Sequence, residues 1–272
     1  AAPVIKYTNK VVYLNDEEIA VIKKDGEFFI KNLKNEEVHP RIRELDLKIE
    51  AIEKGDYQHF MIKEIFQQKE SVLEAIRGRF NALEGWVKVG GMTKDISRFN
   101  NAKRIVLVSS GTSWHAALIG EYLFEELARV PVEVEYSSEF RYRNPILSRD
   151  DVVIAISQSG ETADTLAALQ LANQRNALTY GVVNVVGSSI SRNTMTGSYT
   201  HAGPEIGVAS TKAFTSQVAV LSLMALNLAY QRGTINHSYF MHILAELEVI
   251  SEKISQVLET APYIKEIAEK IK

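Results

Sequence analysis

The stretch DVVIAISQSGETADTLAAL, residues 151–169, decides the fold of this chain. Five consecutive apolar residues at 152–156 are typical of a parallel strand covered on both faces. A polar segment at 157–162 then interrupts the apolar run, and apolar side chains return at helical spacing from residue 163. The pattern predicts a buried strand, a tight loop and a helix.

The loop between this strand and helix, residues 157–162 (loop B), has the composition of an anion-binding site. A helix N-terminus carries unpaired N–H groups and partial positive charge, which favour an anion. Ser157, Ser159 and Thr162 add hydroxyl donors, Gln158 adds an amide, and Gly160 permits a tight turn. The alternative is that these residues only cap the helix. Because all five follow a buried strand, we predict that loop B binds phosphate through neutral donors.

Residues 104–232 alternate between strand and helix patterns. Strands are predicted at 105–108, 132–136, 152–156 and 178–185, and a long helix, apolar on almost every side, at 210–231. Such alternation specifies a parallel sheet covered by helices. We therefore expect a three-layer α/β/α sandwich with a five-stranded, mainly parallel sheet over about residues 96–235.

Two further loops resemble loop B. Residues 110–113 (loop A, SGTS) also connect a predicted strand to a helix, and residues 207–212 (loop C, GVASTK) precede the long helix. Loop C offers backbone amides, two hydroxyls and the cation of Lys212. Each loop alone could be a helix cap, but ligands of parallel sheets bind at the carboxyl ends of the strands. Together the loops predict a site for a sugar phosphate, with the phosphate in loop B.

The flanking segments differ in pattern. Residues 1–48 read as short β-strands at 11–14, 19–22 and 28–30, too few for an independent core. Residues 57–85 read as amphipathic helix with a break near Gly78, and residues 236–272 as further amphipathic helix.

The composition excludes several classes of function. The 272 residues are 46% hydrophobic and 24% charged, with a net charge of −3, which argues against nucleic acid as a partner. No apolar run approaches a membrane span of ~20 residues. There are no cysteines, the histidines lack metal-ligand spacing, and neither dinucleotide nor P-loop motifs occur, so we expect no metal and no cofactor. The chain starts without Met, and we expect it to be part of a longer protein.

Four motifs point to a family: VSSGTSWHAALIGEYL, EFRYRNP, AISQSGETADTLAAL and EIGVASTKAFTSQ. They resemble the sugar isomerase (SIS) domain, and more closely the first of two such domains in the glutamine–fructose-6-phosphate aminotransferase family. The resemblance covers nearly the whole chain. It divides the chain into the end of a glutaminase domain (1–48), a connecting helical segment (49–95), the first SIS domain (96–235) and a helical linker (236–272).

The resemblance implies a binding site for fructose 6-phosphate. The matching positions are Thr112, Ser113, Ser157, Gln158, Ser159, Thr162, Val208 and Ser210. The family often has Cys where this chain has Ser110, a change between small residues that we expect to matter little.

The resemblance also implies an activity for the intact protein. It would transfer ammonia from glutamine to fructose 6-phosphate and isomerise the product to glucosamine 6-phosphate, as a cytoplasmic homodimer. The family's glutaminase Cys and its isomerase Lys, Glu and His belong to parts outside this chain, so no catalytic residue is assigned here. The alternative is a non-catalytic SIS-type sensor of sugar phosphates.

Overall fold

The computed structural model describes residues 7–44 and 53–271, which belong to two compact units, Ala1–Gly55 and Asp56–Lys272. The domain boundary expected between residues 48 and 49 lies outside the described residues. Each unit has its own sheets.

The first unit is made of short antiparallel strands. They are β1 (Lys10–Val12), β2 (Glu18–Ile22), β3 (Phe28–Asn32), β4 (Glu37–Val38) and β5 (Ile42–Glu44). Strand β1 pairs with β5, and β2, β3 and β4 form a meander. Among the residues described here, Ile30 is the one fully buried apolar side chain, at 1% exposure. The three strands predicted from sequence are confirmed, and the small core agrees with the expected weakness of this piece.

The second unit begins with short helices and a hairpin. The predicted helix over 57–85 is present up to Ile76 as two helices, and its last part is wrong because a strand begins at Phe80. The elements are α1 (Phe60–Phe66), α2 (Gln68–Ile76), β6 (Phe80–Asn81), β7 (Trp86–Val87), α3 (Gly90–Lys94) and α4 (Ile96–Asn100). Helix α2 ends at Ile76, two residues before Gly78, whose φ of 68° is left-handed, so the predicted break near Gly78 is confirmed. Gly85, with φ of 66°, lies in the turn between β6 and β7. Asn81 Oδ1 accepts hydrogen bonds from the Leu83 and Glu84 amides, both at 2.9 Å, and so closes a hairpin.

The sandwich follows, with its strands and helices in alternation. Its elements are β8 (Arg104–Ser109), α5 (Thr112–Leu123), β9 (Val132–Tyr136), α6 (Ser137–Tyr142), β10 (Asp151–Ser157), α7 (Ala163–Gln174), β11 (Leu178–Val183), α8 (Ser189–Asn193) and β12 (Thr196–Tyr199). The sheet order is β12-β11-β10-β8-β9, and every pair is parallel. The prediction of a five-stranded sheet is confirmed, although β12 had no strand signal of its own.

Alternate residues of the strands enter two separate cores. Leu107 and Ile154 belong to the larger core, which includes the long helix α9 (Lys212–Arg232). Val106 and Val153 belong to the other, which packs beneath α7. Since each face of the sheet has its own helical cover, the chain forms the expected three-layer sandwich.

Helix α9 is long and apolar enough to cross a membrane by length and composition alone. The sequence has no unbroken apolar run of this length, since Ser222 and Asn227 among others interrupt the helix. The reason for the apolarity is burial, since 72% of the qualifying window lies inside the structure. Gly233, with φ of 67°, ends the helix as predicted.

Three more helices complete the described chain: α10 (His237–Glu248), α11 (Ile250–Leu258) and α12 (Ala261–Lys270). The Asn236 side chain caps α10 by accepting a hydrogen bond from the Tyr239 amide at 2.8 Å. Helices α11 and α12 contain no fully buried residue, which agrees with the predicted amphipathic pattern.

We predict that Leu226→Ala destabilises the second unit by about 2–5 kcal/mol, because Leu226 is 0% exposed and its loss leaves a cavity in the main core. Urea unfolding followed by circular dichroism measures the change. Leu83→Ala is the matched control, since Leu83 is 90% exposed. Equal unfolding free energies for the two variants would contradict the assignment of α9 to the core.

Candidate functional site

A cleft of about 390 Å³ lies at the carboxyl ends of β8 and β10, where loops A, B and C meet. The structure brings all eight residues predicted from sequence to the lining of this cleft: Thr112, Ser113, Ser157, Gln158, Ser159, Thr162, Val208 and Ser210. Its volume lies within the range of small-molecule sites, about 300–1,000 Å³.

Loop B is held in a tight turn by its own hydroxyl groups. Ser157 Oγ accepts a hydrogen bond from the Gly160 amide at 3.0 Å, and Ser159 Oγ accepts one from the Glu161 amide at 3.2 Å. Gly160 has a φ of 67°, and a Cβ at this position would lie 2.0 Å from Ser188 Oγ. The turn therefore requires glycine for both its backbone angle and its contact.

The N-terminus of α7 is available to an anion. Its N-cap residue, Thr162, makes no capping hydrogen bond with its side chain, so no side chain of the cap satisfies the first-turn N–H groups. The nearby acids are engaged elsewhere. Glu161 Oε1 accepts a hydrogen bond from the Ser189 amide at 2.9 Å, and Asp164 forms a salt bridge with Arg141 at 2.7 Å. Loop B thus combines the positive end of a helix with hydroxyl groups.

Loop A leads directly into α5 through Gly111, whose φ is 61°. The hydroxyl of Ser113 accepts a hydrogen bond from Gln217 Nε2 at 3.0 Å. This leaves the Ser113 hydroxyl hydrogen for a ligand in the cleft. Gln217 is 1% exposed and lies on α9, and sequence reasoning missed it. The available signal was a side-chain amide in the first turns of a mostly apolar helix that follows a small-residue loop.

Loop C differs from what the sequence predicted. Glu205, just before the loop, lines the cleft and accepts hydrogen bonds from Ser210 Oγ at 2.8 Å, the Thr211 amide at 2.8 Å and the Ala213 amide at 3.2 Å. The backbone amides of Thr211 and Ala213 therefore already donate to a carboxylate of the protein. The predicted cation is also absent from the lining, since Lys212 is 4% exposed and buried beneath the loop. Sequence reasoning missed Glu205, an acid two residues before a small-residue loop.

The described lining of the cleft is almost entirely neutral. It contains hydroxyls, an amide and backbone, with Glu205 as its one charged side chain. Such a site can bind an anion at a helix end and hydroxyl groups along its walls. Since both oxygens of Glu205 already accept hydrogen bonds, no described lining residue is a free acid or base for proton transfer.

A second cleft, of about 560 Å³, lies at the opposite edge of the sheet and is lined by Arg98, Arg149, Arg175, Asn176 and Met195. The guanidinium of Arg98 donates to the carbonyl oxygens of Arg149 at 2.9 Å and Asn176 at 3.3 Å. Arg98 therefore serves to connect two loops. Ligands of parallel sheets bind at the carboxyl edge, which favours the smaller cleft as the functional site.

Known proteins share both the sequence and the fold. The SIS domain family matches residues 98–227. Glutamine--fructose-6-phosphate aminotransferase [isomerizing] of Chlorobaculum tepidum is 55% identical over 272 residues, which are 100% of this chain and 44% of the relative. The protein of the same name from Bacteroides thetaiotaomicron is 51% identical over 268 residues, 98% of this chain and 44% of the relative.

A solved structure supports the same relationship. The C-terminal domain of glucosamine-fructose-6-phosphate aminotransferase from Francisella tularensis is 34% identical, with a TM-score of 0.74 over 80% of this chain and 60% of that one. The chain thus spans less than half the length of the curated relatives that it matches. It contains a SIS domain and is related over its whole length to the isomerizing glutamine–fructose-6-phosphate aminotransferases.

Proposed function

We propose that the cleft binds fructose 6-phosphate, as the sugar-phosphate-binding part of an isomerizing glutamine–fructose-6-phosphate aminotransferase. The observation that carries the proposal is that eight residues with hydroxyl, amide or backbone polar groups, from loops A, B and C, line one small cleft. The names of the related proteins favour this substrate. Loop B would hold the phosphate, and loops A and C would face the sugar hydroxyls.

The neutral lining suits this ligand. A phosphate at the N-terminus of α7 would be held by backbone N–H groups and hydroxyls, with the helix dipole in place of a basic side chain. Hydroxyl groups of a sugar can both donate and accept, which matches Ser113, Ser210 and the backbone of loop C. The buried polar donors would then favour a polyol phosphate over an apolar anion.

The chemistry of the intact protein requires groups beyond this cleft. Converting the ketose to an amino sugar places nitrogen on C2, removes a proton from C1 and delivers a proton to C2, so a positioned acid–base group is needed. Glu205 is the one acid in the described lining, and its oxygens hold loop C and α9. We therefore propose that this chain positions the substrate, while the acid–base groups and the source of ammonia lie in other parts of the protein.

A non-catalytic sugar-phosphate sensor is the second candidate. The cleft alone fits it equally well, because binding requires no acid–base group. The 55% identity to an aminotransferase along the whole chain favours the enzyme. Formation of glucosamine 6-phosphate by the full-length protein would distinguish the two.

We expect Ser159→Ala to weaken fructose 6-phosphate binding by about 1–2 kcal/mol, or roughly 5- to 30-fold in Kd, through loss of a hydrogen bond to a charged group. Isothermal titration calorimetry measures the change. Ser97→Ala is the control, because Ser97 is exposed and does not line the cleft. If the Ser159 variant binds as tightly as the wild type, loop B only caps its helix.

The 272-residue chain alone should neither aminate nor isomerise fructose 6-phosphate, because positioning without an acid–base pair cannot move a proton. The purified chain is incubated with fructose 6-phosphate and ammonia, and glucosamine 6-phosphate is assayed. The full-length protein is the positive control. Turnover by the chain above that of a contaminant control would place catalytic residues within 1–272.

We also propose that the intact protein is a cytoplasmic homodimer. Large apolar side chains of the sandwich remain exposed, including Tyr122 at 75%, Tyr142 at 77% and Ile146 at 89%, and such surfaces favour association. We expect light scattering after size exclusion to give twice the monomer mass for the full-length protein. A monomer at micromolar concentration would contradict the proposal.

A further inference from the structure

A buried carboxylate on a helix outside the sheet accepts hydrogen bonds from the start of loop C. Glu64, on α1, is 2% exposed. Its Oε1 accepts a hydrogen bond from the Ile206 amide at 2.6 Å, and both of its oxygens lie 3.1 Å from the Gly207 amide. Hydrogen bonds from N–H groups to an ionised carboxylate are stronger than neutral ones. Glu64 therefore joins α1 to a loop more than 140 residues later in the chain.

The contact depends on glycine at position 207. A Cβ there would lie 2.5 Å from Glu64 Oε2 and 3.4 Å from Met61 Cα. The backbone of loop C is therefore packed directly on α1, with no space for a side chain. Gly207 lines the cleft, whereas Glu64 does not.

A buried lysine, Lys212, lies close to Glu64 beneath loop C. Lys212 is 4% exposed, and its Nζ donates a hydrogen bond to Gln67 Oε1 at 2.9 Å. Burial lowers the pKa of Lys212, and the nearby carboxylates of Glu64 and Glu205 oppose that shift. The two carboxylates therefore favour the charged form of Lys212 against the effect of its burial.

The two acids together fix loop C at both of its ends. Glu64 binds the amides of Ile206 and Gly207, and Glu205 binds those of Thr211 and Ala213. Between these anchors, residues 208–210 line the cleft, and Val208 is fully exposed. The segment that faces the sugar is thus held by groups that do not themselves need to contact it.

We propose that Glu64 is a positioning residue that holds loop C in the conformation that recognises the sugar portion of the ligand. The inference rests on the proposed function, in which loop B binds the phosphate and loop C faces the sugar hydroxyls. Glu64 contacts the backbone of loop C and does not line the cleft. Its removal should therefore affect sugar recognition while leaving phosphate binding intact.

The test uses Glu64→Gln in the 272-residue chain. The variant keeps the size of the side chain but loses the charge and one of the two accepting oxygens. We expect the Kd for fructose 6-phosphate to rise about tenfold, while the Kd for inorganic phosphate, measured by NMR titration, changes less than twofold. Ser159→Ala should weaken both ligands. Glu70→Gln is the matched control, because Glu70 lies on α2 with its side chain 60% exposed.

Hydrogen exchange provides a second measurement that needs no ligand. In Glu64→Gln, amides of residues 205–211 should exchange at least tenfold faster, and those of residues 157–162 should exchange at the wild-type rate. If Glu64→Gln fails to fold, Gly207→Ala disrupts the same contact, because the added Cβ collides with the Glu64 carboxylate. This variant should likewise raise the Kd for fructose 6-phosphate more than the Kd for inorganic phosphate.

The outcomes distinguish the inference from the proposed function. A wild-type chain that does not bind fructose 6-phosphate refutes the proposed function, and the positioning role with it. If the wild type and Ser159→Ala behave as expected, the positioning role alone is overturned by wild-type fructose 6-phosphate affinity in Glu64→Gln. Equal weakening of sugar phosphate and phosphate in that variant overturns it as well, since the effect would then be a general loss of structure.

Discussion

The burial of β10 on both faces is the constraint on which the rest of the structure depends. All seven of its residues are buried, and it pairs in parallel with β8 on one side and β11 on the other. Parallel neighbours require crossover connections, which place helices on both faces of the sheet. The loops that follow β8 and β10 consequently open at the same edge, where the cleft lies.

Two internal carboxylates determine what this edge can bind. Glu64 and Glu205 accept hydrogen bonds from backbone amides at the two ends of loop C, and Lys212 is buried beneath the loop. Loop C therefore presents hydroxyl and backbone groups without a strong charge to the cleft. An anion would therefore bind at loop B and the N-terminus of α7, where the N-cap side chain makes no capping hydrogen bond. On the proposed function, this arrangement assigns phosphate and sugar to different loops.

The cleft also separates binding from chemistry. Its described lining offers several hydroxyl and backbone N–H groups. The one acid in that lining, Glu205, accepts three hydrogen bonds from its own chain. A group with that many internal partners is suited to fixing a loop and poorly suited to accepting a proton from a substrate. The related enzymes are more than twice as long as this chain, which agrees with the proposal that the acid–base groups lie elsewhere.

The sequence alone determined the parallel sandwich, because doubly covered strands are continuously apolar. Its three small hydroxyl-rich loops located the site, and the resemblance to a known family named the eight candidate residues within them. It did not predict strand β12, whose four residues TGSY have no apolar run. It also did not predict the hairpin of Phe80–Asn81 and Trp86–Val87, whose first strand lies within the predicted helix over 57–85. Only the tertiary structure decided the roles of Glu64, Glu205 and Lys212. A polar side chain reads as solvent-exposed until its partners are known, and the amides that Glu64 holds are more than 140 residues away in the chain.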